Sequence, residues 1–176
     1  MKKLKEIELF IPIKDYEEIE SDSLRKKKLI FSMIFIFFST VLFLFSNIEN
    51  KIDFFLGFID TELNIVSLLL SFSIAYLTIL ITTSGNNIDI LKKIKMECKV
   101  NTEEISAYKY LLIELTFSIY LEILLLFILI INKFIVHMDF LVINYILFLA
   151  ELIILLDILY IILYLVKNMY LAFYKE

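Results

Sequence analysis

Two long apolar runs near the C-terminal end, Ile105–Ile131 and Phe140–Val166, restrict this chain more than any other feature. A helix needs roughly 20 apolar residues to cross a bilayer core of about 30 Å, and both runs exceed that length. Each carries acids in its interior: Glu114 and Glu122 in the first, Glu151 and Asp157 in the second. The segment between them, Asn132–Asp139, is polar at both ends and suits a short reversal. The two runs are therefore expected to form an antiparallel helical hairpin.

Folding the chain at the middle of that segment levels Glu114 with Asp157 and Glu122 with Glu151. The two layers stand roughly 9–12 Å apart at the rise of a helix. Two carboxylates at one depth in a low dielectric cannot both ionise cheaply, so each layer is expected to share a proton. The nearest bases along the first run, Lys109 and Lys133, stand well over two turns from Glu122. Ionisable groups inside a membrane mark ion or proton pathways by default. The plainer alternative is a neutral acid hydrogen-bonded to Tyr, Ser or Asn that fixes helix packing.

Composition agrees with a membrane chain. Of 176 residues, 61% are hydrophobic, and the mean hydropathy is +0.87. Those values suit one integral membrane domain and not a soluble core. Abundant Ile, Leu, Phe, Lys and Asn with no Trp point to an AT-rich genome and a bacterial plasma membrane. Cys98 and His137 are each the sole residue of their type, which excludes an internal disulfide and a Cys- or His-built metal site. No phosphate-binding glycine loop and no metalloprotease motif occurs, so neither an enzyme nor a cofactor is expected.

In chain order, residues 1–28 read as a cytoplasmic tail. Leu9–Ile13 is expected to be extended about Pro12, with a short acidic helix from Lys14 to Glu20. Arg25, Lys26, Lys27 and Lys28 abut the first span, about 29–46, as a topology signal or an anionic-lipid contact. No small-residue cleavage pattern follows, so this run reads as a signal anchor. Ser46–Asn64 reads as an acidic outer loop with a short interfacial helix at Ile52–Phe58. The second span, about 65–83, carries Ser67, Ser71, Ala75, Thr78 and Thr82 on one narrow face, an expected helix-packing seam. After a breaker cluster at Ser84–Asn87, residues 88–99 read as an amphipathic surface helix whose Lys92, Lys95 and Lys99 meet headgroups. Asn101 and Glu104 suggest the cap of span three, about 105–131. Span four is about 140–166. Tyr108, Tyr110, Tyr170 and Tyr174 fit an aromatic belt.

The basic residues sort by face. Fifteen lie in the N-terminal tail, the Ser84–Tyr110 stretch and the C-terminal tail, and two, Lys51 and Lys133, in the other loops. The positive-inside rule then puts both termini in the cytoplasm. The fold class expected is all-α: a polytopic integral membrane protein with four transmembrane helices in residues 29–176. Juxtamembrane placement of the bases argues against a nucleic-acid partner. Two functions fit. One is a channel-like or membrane-perturbing effector, alone or as an oligomer, passing protons or cations by Glu114, Glu122, Glu151 and Asp157. The other is a non-conducting subunit that docks a cytoplasmic protein.

Overall fold

The computed structural model describes residues 11–45, 50–82, 86–138 and 140–174. It is mostly helical. In order come α1 (Ile11–Ile19), α2 (Asp22–Phe45), α3 (Lys51–Thr82), α4 (Asn86–Lys93), β1 (Lys95–Val100), β2 (Glu103–Ser106), α5 (Ala107–Ile135), a 3-10 turn (Val136–Met138) and α6 (Leu141–Tyr174). Three of these stretches are long and apolar enough to cross a membrane: Lys51–Thr82, Ala107–Met138 and Leu141–Asn168. The first expected span falls on α2, where the side chains of residues 42–45 lie outside the described set.

α5 lies between α3 and α6, and α2 packs on the far side of α6. The buried positions recur at alternating spacings of four and three residues. On α5 they are Leu111, Leu115, Ser118, Glu122, Leu125, Leu129 and Asn132, continuing to Val136. On α3, Phe55, Ile59, Glu62, Val66, Ser73 and Leu80 follow the same rhythm, completed by half-buried Leu69 and Tyr76. On α6 it runs through Asn144, Phe148, Glu151, Leu155, Ile158 and Leu165. A seven-residue pattern of this kind keeps one seam of each helix facing its neighbours over a long contact. The opposite faces carry the exposed Leu, Ile and Phe side chains, such as Phe72, Phe127 and Leu163, as a lipid-facing surface requires.

Several local expectations are corrected. The expected acidic loop is helix from Lys51 on, its first residues, 46–49, lying outside the described set: α3 is capped by Asn50, whose Oδ1 accepts from the Asp53 amide at 3.3 Å. Its aromatic residues pack on α6, with Phe58 and Phe148 edge to face at 4.5 Å. Pro12 lies in the first turn of α1, where an amide has no intrahelical partner to lose. The amphipathic helix at 88–99 stops at Lys93, and Lys95–Val100 pairs with Glu103–Ser106 as an antiparallel ribbon. Met96, Cys98 and Val100 alternate with exposed residues, a strand period that overrides the helical one. Asn101 and Thr102 both have positive φ, 49° and 72°, as a two-residue ribbon turn of this hand requires. The cap of α5 is therefore not Asn101 but Ser106, whose side chain accepts from the Lys109 amide. The small-residue face of Ser67, Ser71, Ala75, Thr78 and Thr82 is exposed and seals no helix contact among the described residues. Ser71, Thr78 and Thr82 instead bond back to carbonyls four residues earlier. Of the breaker cluster, Ser84 and Gly85 lie outside the described residues, as do Leu9, Phe10 and the side chains of Tyr170 and Tyr174.

Candidate functional site

The polar members of the three buried seams gather in two layers. In one, the Asn132 amide of α5 donates to both carboxylate oxygens of Glu151 on α6, at 2.9 and 3.1 Å. Glu62 of α3 lies close enough to feel the charge of Glu151. Its side chain is 2% exposed, and neither of its oxygens has a hydrogen-bond partner in the described structure. The Asn132 and Asn144 amide oxygens are also buried without a donor. In the other layer, one oxygen of Glu122 accepts from Ser73 of α3 at 2.8 Å and from Ser118, one turn back, at 3.1 Å.

This arrangement departs from the levels expected of a fold at the loop midpoint. Asn132, not Glu122, sits opposite Glu151, ten residues further along α5. That is about 15 Å at the helical rise. The reason is the length of α5, which runs to Ile135 and continues into the 3-10 turn, moving the reversal towards Leu141. Between the two layers lie Val66, Leu125, Leu129 and Ile158, all fully buried. No polar side chain bridges that apolar stretch among the described residues. An apolar groove of about 270 Å³ borders the Ser73 side of the Glu122 layer.

Glu114 and Asp157 belong to a third group, centred on a base. Lys28 is 7% exposed. Its Nζ is 2.9 Å from a Glu20 oxygen and donates to the Tyr16 Oη at 2.5 Å. It also stands over the rings of Tyr16 and Tyr160. Its charge reaches Asp157 and Glu114, and the latter is flanked by Tyr110 and Asn168. Tyr16 is fixed by stacking on Phe117 of α5 with ring centroids 3.8 Å apart. Burial, reinforced by the charges of Glu20, Glu114 and Asp157, holds the Tyr16 phenol well above its ordinary value. It therefore stays neutral and keeps its proton. α1 is tied to the ribbon as well, since Glu18 accepts from the Asn101 amide at 2.6 Å.

Lys28 is thus withdrawn from the lipid surface that the basic cluster suggested. Arg25, Lys26, Lys27 and Lys99 remain exposed. Lys92 stands over the Tyr108 ring, and Lys95 pairs with Glu104 at 2.9 Å on the surface. Burial raises the Cys98 thiol above its usual value, so it is not an activated nucleophile. No group of three or more metal-ligating side chains occurs among the described residues. The chain matches no family model, and no curated protein or solved structure is detectably similar to it.

Glu62, Ser73, Ser118 and Asn132 were not singled out by the sequence as site residues. The signal was present for Glu62: Phe55, Ile59, Glu62 and Val66 carry the four-three spacing into the start of the expected second span. Lys28 gave no such signal, because its partners come from α1 and α6 and are joined only by tertiary packing.

Proposed function

We propose that the chain is a four-span cell-membrane protein with both termini cytoplasmic, acting as a gated, channel-like effector that moves protons or cations through its buried carboxylates. In this reading α2 is the first span, α5 and α6 form the antiparallel hairpin, and the four helices make one bundle. The observation that carries it is Glu62, a buried carboxylate with both oxygens free beside the carboxylate of Glu151. An acid that only locks helices has hydrogen-bonded oxygens: Glu122 has one oxygen taken by both Ser73 and Ser118 and one left over, whereas Glu62 has neither taken. Free buried acceptors are the usual mark of a place where a proton or ion sits. The apolar stretch at Leu125 and Leu129 closes the route between Glu151 and Glu122. Passage then requires the helices to part, or several copies to assemble.

Proteoliposomes with a trapped pH indicator test this reading. The wild type is expected to dissipate an imposed proton gradient, and Glu62→Gln and Glu151→Gln to insert normally and hold it. A gradient held equally by all three from pH 5 to 8 overturns the proposal. Topology is tested separately, in a Cys98→Ala background. Cysteines at Ser23 and Asp60 are expected to label from opposite sides of the membrane, and labelling of both from one side refutes the four-span arrangement.

A second reading is favoured by the occupied acids. The Ser73–Glu122–Ser118 and Asn132–Glu151 bonds act as polar clamps between helices, worth about 0.6 kcal/mol each in membrane proteins. On that view the chain is a non-conducting subunit, and α1, α4 and the ribbon form a cytoplasmic face for a partner protein. It is the reading that survives if the Gln variants change nothing.

A further inference from the structure

We propose that the cleft between the first turns of α2 and the C-terminal half of α6 binds the headgroup of an anionic phospholipid. The cleft holds about 400 Å³; Ser21, just before α2, lines it with Ser23 and Lys27 of α2, while α6 contributes Tyr160, Tyr164 and Lys167. Two ammonium groups from different helices thus face one space that no carboxylate lines. Their situation differs from that of the other interior and paired lysines. Lys28, Lys95 and Lys133 each have an acid within 2.9 Å. Lys27 and Lys167 have no ion pair among the described residues, and Lys167 rests over the Tyr164 ring at 5.5 Å.

The remaining polar groups suit a phosphodiester. Ser21 Oγ accepts from the Leu24 amide at 3.2 Å, which leaves its hydroxyl proton free to donate into the cleft. Ser23 is exposed beside it. The tyrosine rings form the walls, at the depth where aromatic side chains meet headgroups. The cleft on the other side of α2 supplies the contrast. There Arg25 and Lys28 stand with Glu20 and Asp157, so the charges offset one another and an anion gains little.

The ligand is a lipid and not a free phosphate because of the lip. Leu163 borders the cleft and is 69% exposed, on a face of α6 shared with exposed Val166. An acyl chain covers that surface when the phosphate sits between the lysines, and a soluble anion leaves it bare. Opposite charge and apolar continuity therefore point to the same class of molecule, a phosphatidylglycerol-type lipid with one net negative charge.

Native mass spectrometry of the full chain in detergent, titrated with short-chain phosphatidylglycerol, tests the site. The Lys27→Ala/Lys167→Ala variant is expected to bind about 30-fold more weakly than wild type, from the loss of two headgroup contacts. Both residues are exposed, so folding is not at stake. The control, Lys26→Ala/Lys99→Ala, removes the same charge from exposed positions outside the cleft. It is expected to bind within about threefold of wild type, because neither lysine lines the cleft, whereas a diffuse charge effect would weaken both double variants alike. Phosphatidylcholine is expected not to be retained. Equal losses in the two double variants, retention of phosphatidylcholine, or binding of inorganic phosphate as tight as that of the lipid would each overturn the assignment.

Discussion

Replacing Lys28 by Met is expected to destabilise the fold by about 3–5 kcal/mol, the range for removing one partner of a buried ion pair. The lysine pairs with Glu20, donates to Tyr16 and lends its charge to Asp157, whereas Arg25, the other base in that cleft, is exposed. Glu20 is itself largely buried, with 15% of its side chain exposed, so its charge has no water to fall back on. The Tyr16 phenol, held neutral, cannot replace the lost cation. The damage is expected to spread to α1, because Tyr16 couples that helix to Phe117. Unfolding in mixed micelles with rising dodecyl sulfate measures the loss, and Lys28→Met/Glu20→Leu should recover most of it. A single variant within about 0.5 kcal/mol of wild type, the scatter of ordinary surface changes, would show that the contact carries no weight.

The second large effect has opposite signs at neighbouring positions. Glu62→Leu is expected to stabilise the protein by about 1–3 kcal/mol, because it removes a buried polar group with no hydrogen bond to lose. Glu151→Leu is expected to destabilise it by a similar amount, about 1–3 kcal/mol, because the Asn132 amide is left without its acceptor. Their stabilities, measured by the same micelle titration, separate function from packing. A position kept as Glu62 although Leu would be more stable is one whose value lies in activity, as at other strained functional sites. If Glu62→Leu is destabilising instead, its carboxylate has a structural partner, and the basis of the transport proposal is gone.

Much of the architecture could be read from the residues, for identifiable reasons. Length and polarity alone marked the cores of α3, α5 and α6. The start of α3 was hidden because Asp53, Asp60 and Glu62 look like loop charges when hydropathy is averaged. Asp60 does face outwards, in a pair with Lys133 at 2.7 Å, but Glu62 turns inwards with the seam. The ribbon was hidden because Ile90, Leu91 and Ile94 set a helical period that Lys95–Val100 does not continue. Depth matching across the α5–α6 contact failed by nearly three turns, since it took Asn132 and Lys133 for loop when both are helix. Of the four acids in the apolar runs, Glu114, Glu122 and Glu151 are buried and Asp157 is half-buried, but their partners could not be read: a serine or asparagine in an apolar run gives no sign of which acid it will meet.

The seams of α3, α5 and α6 also limit how this molecule can move. Apolar rungs are interchangeable, so a helix with leucine at every inward position could slide past its neighbour by one heptad at little cost. Here the inward polar residues break that translational symmetry. A slide of seven residues that carries Asn132 from Glu151 to the level of Ile158 would also carry Ser73 from Glu122 to the level of Leu129, leaving each against an apolar side chain. Each stranded group costs about 1–3 kcal/mol, and several are stranded at once. Lengthwise ratcheting is thereby closed off as a mode of motion. What stays open is rotation about the helix axes, or splaying at the end where α1 rests on α5, so any change of state in this protein is a twist or an unclasping and not a piston stroke.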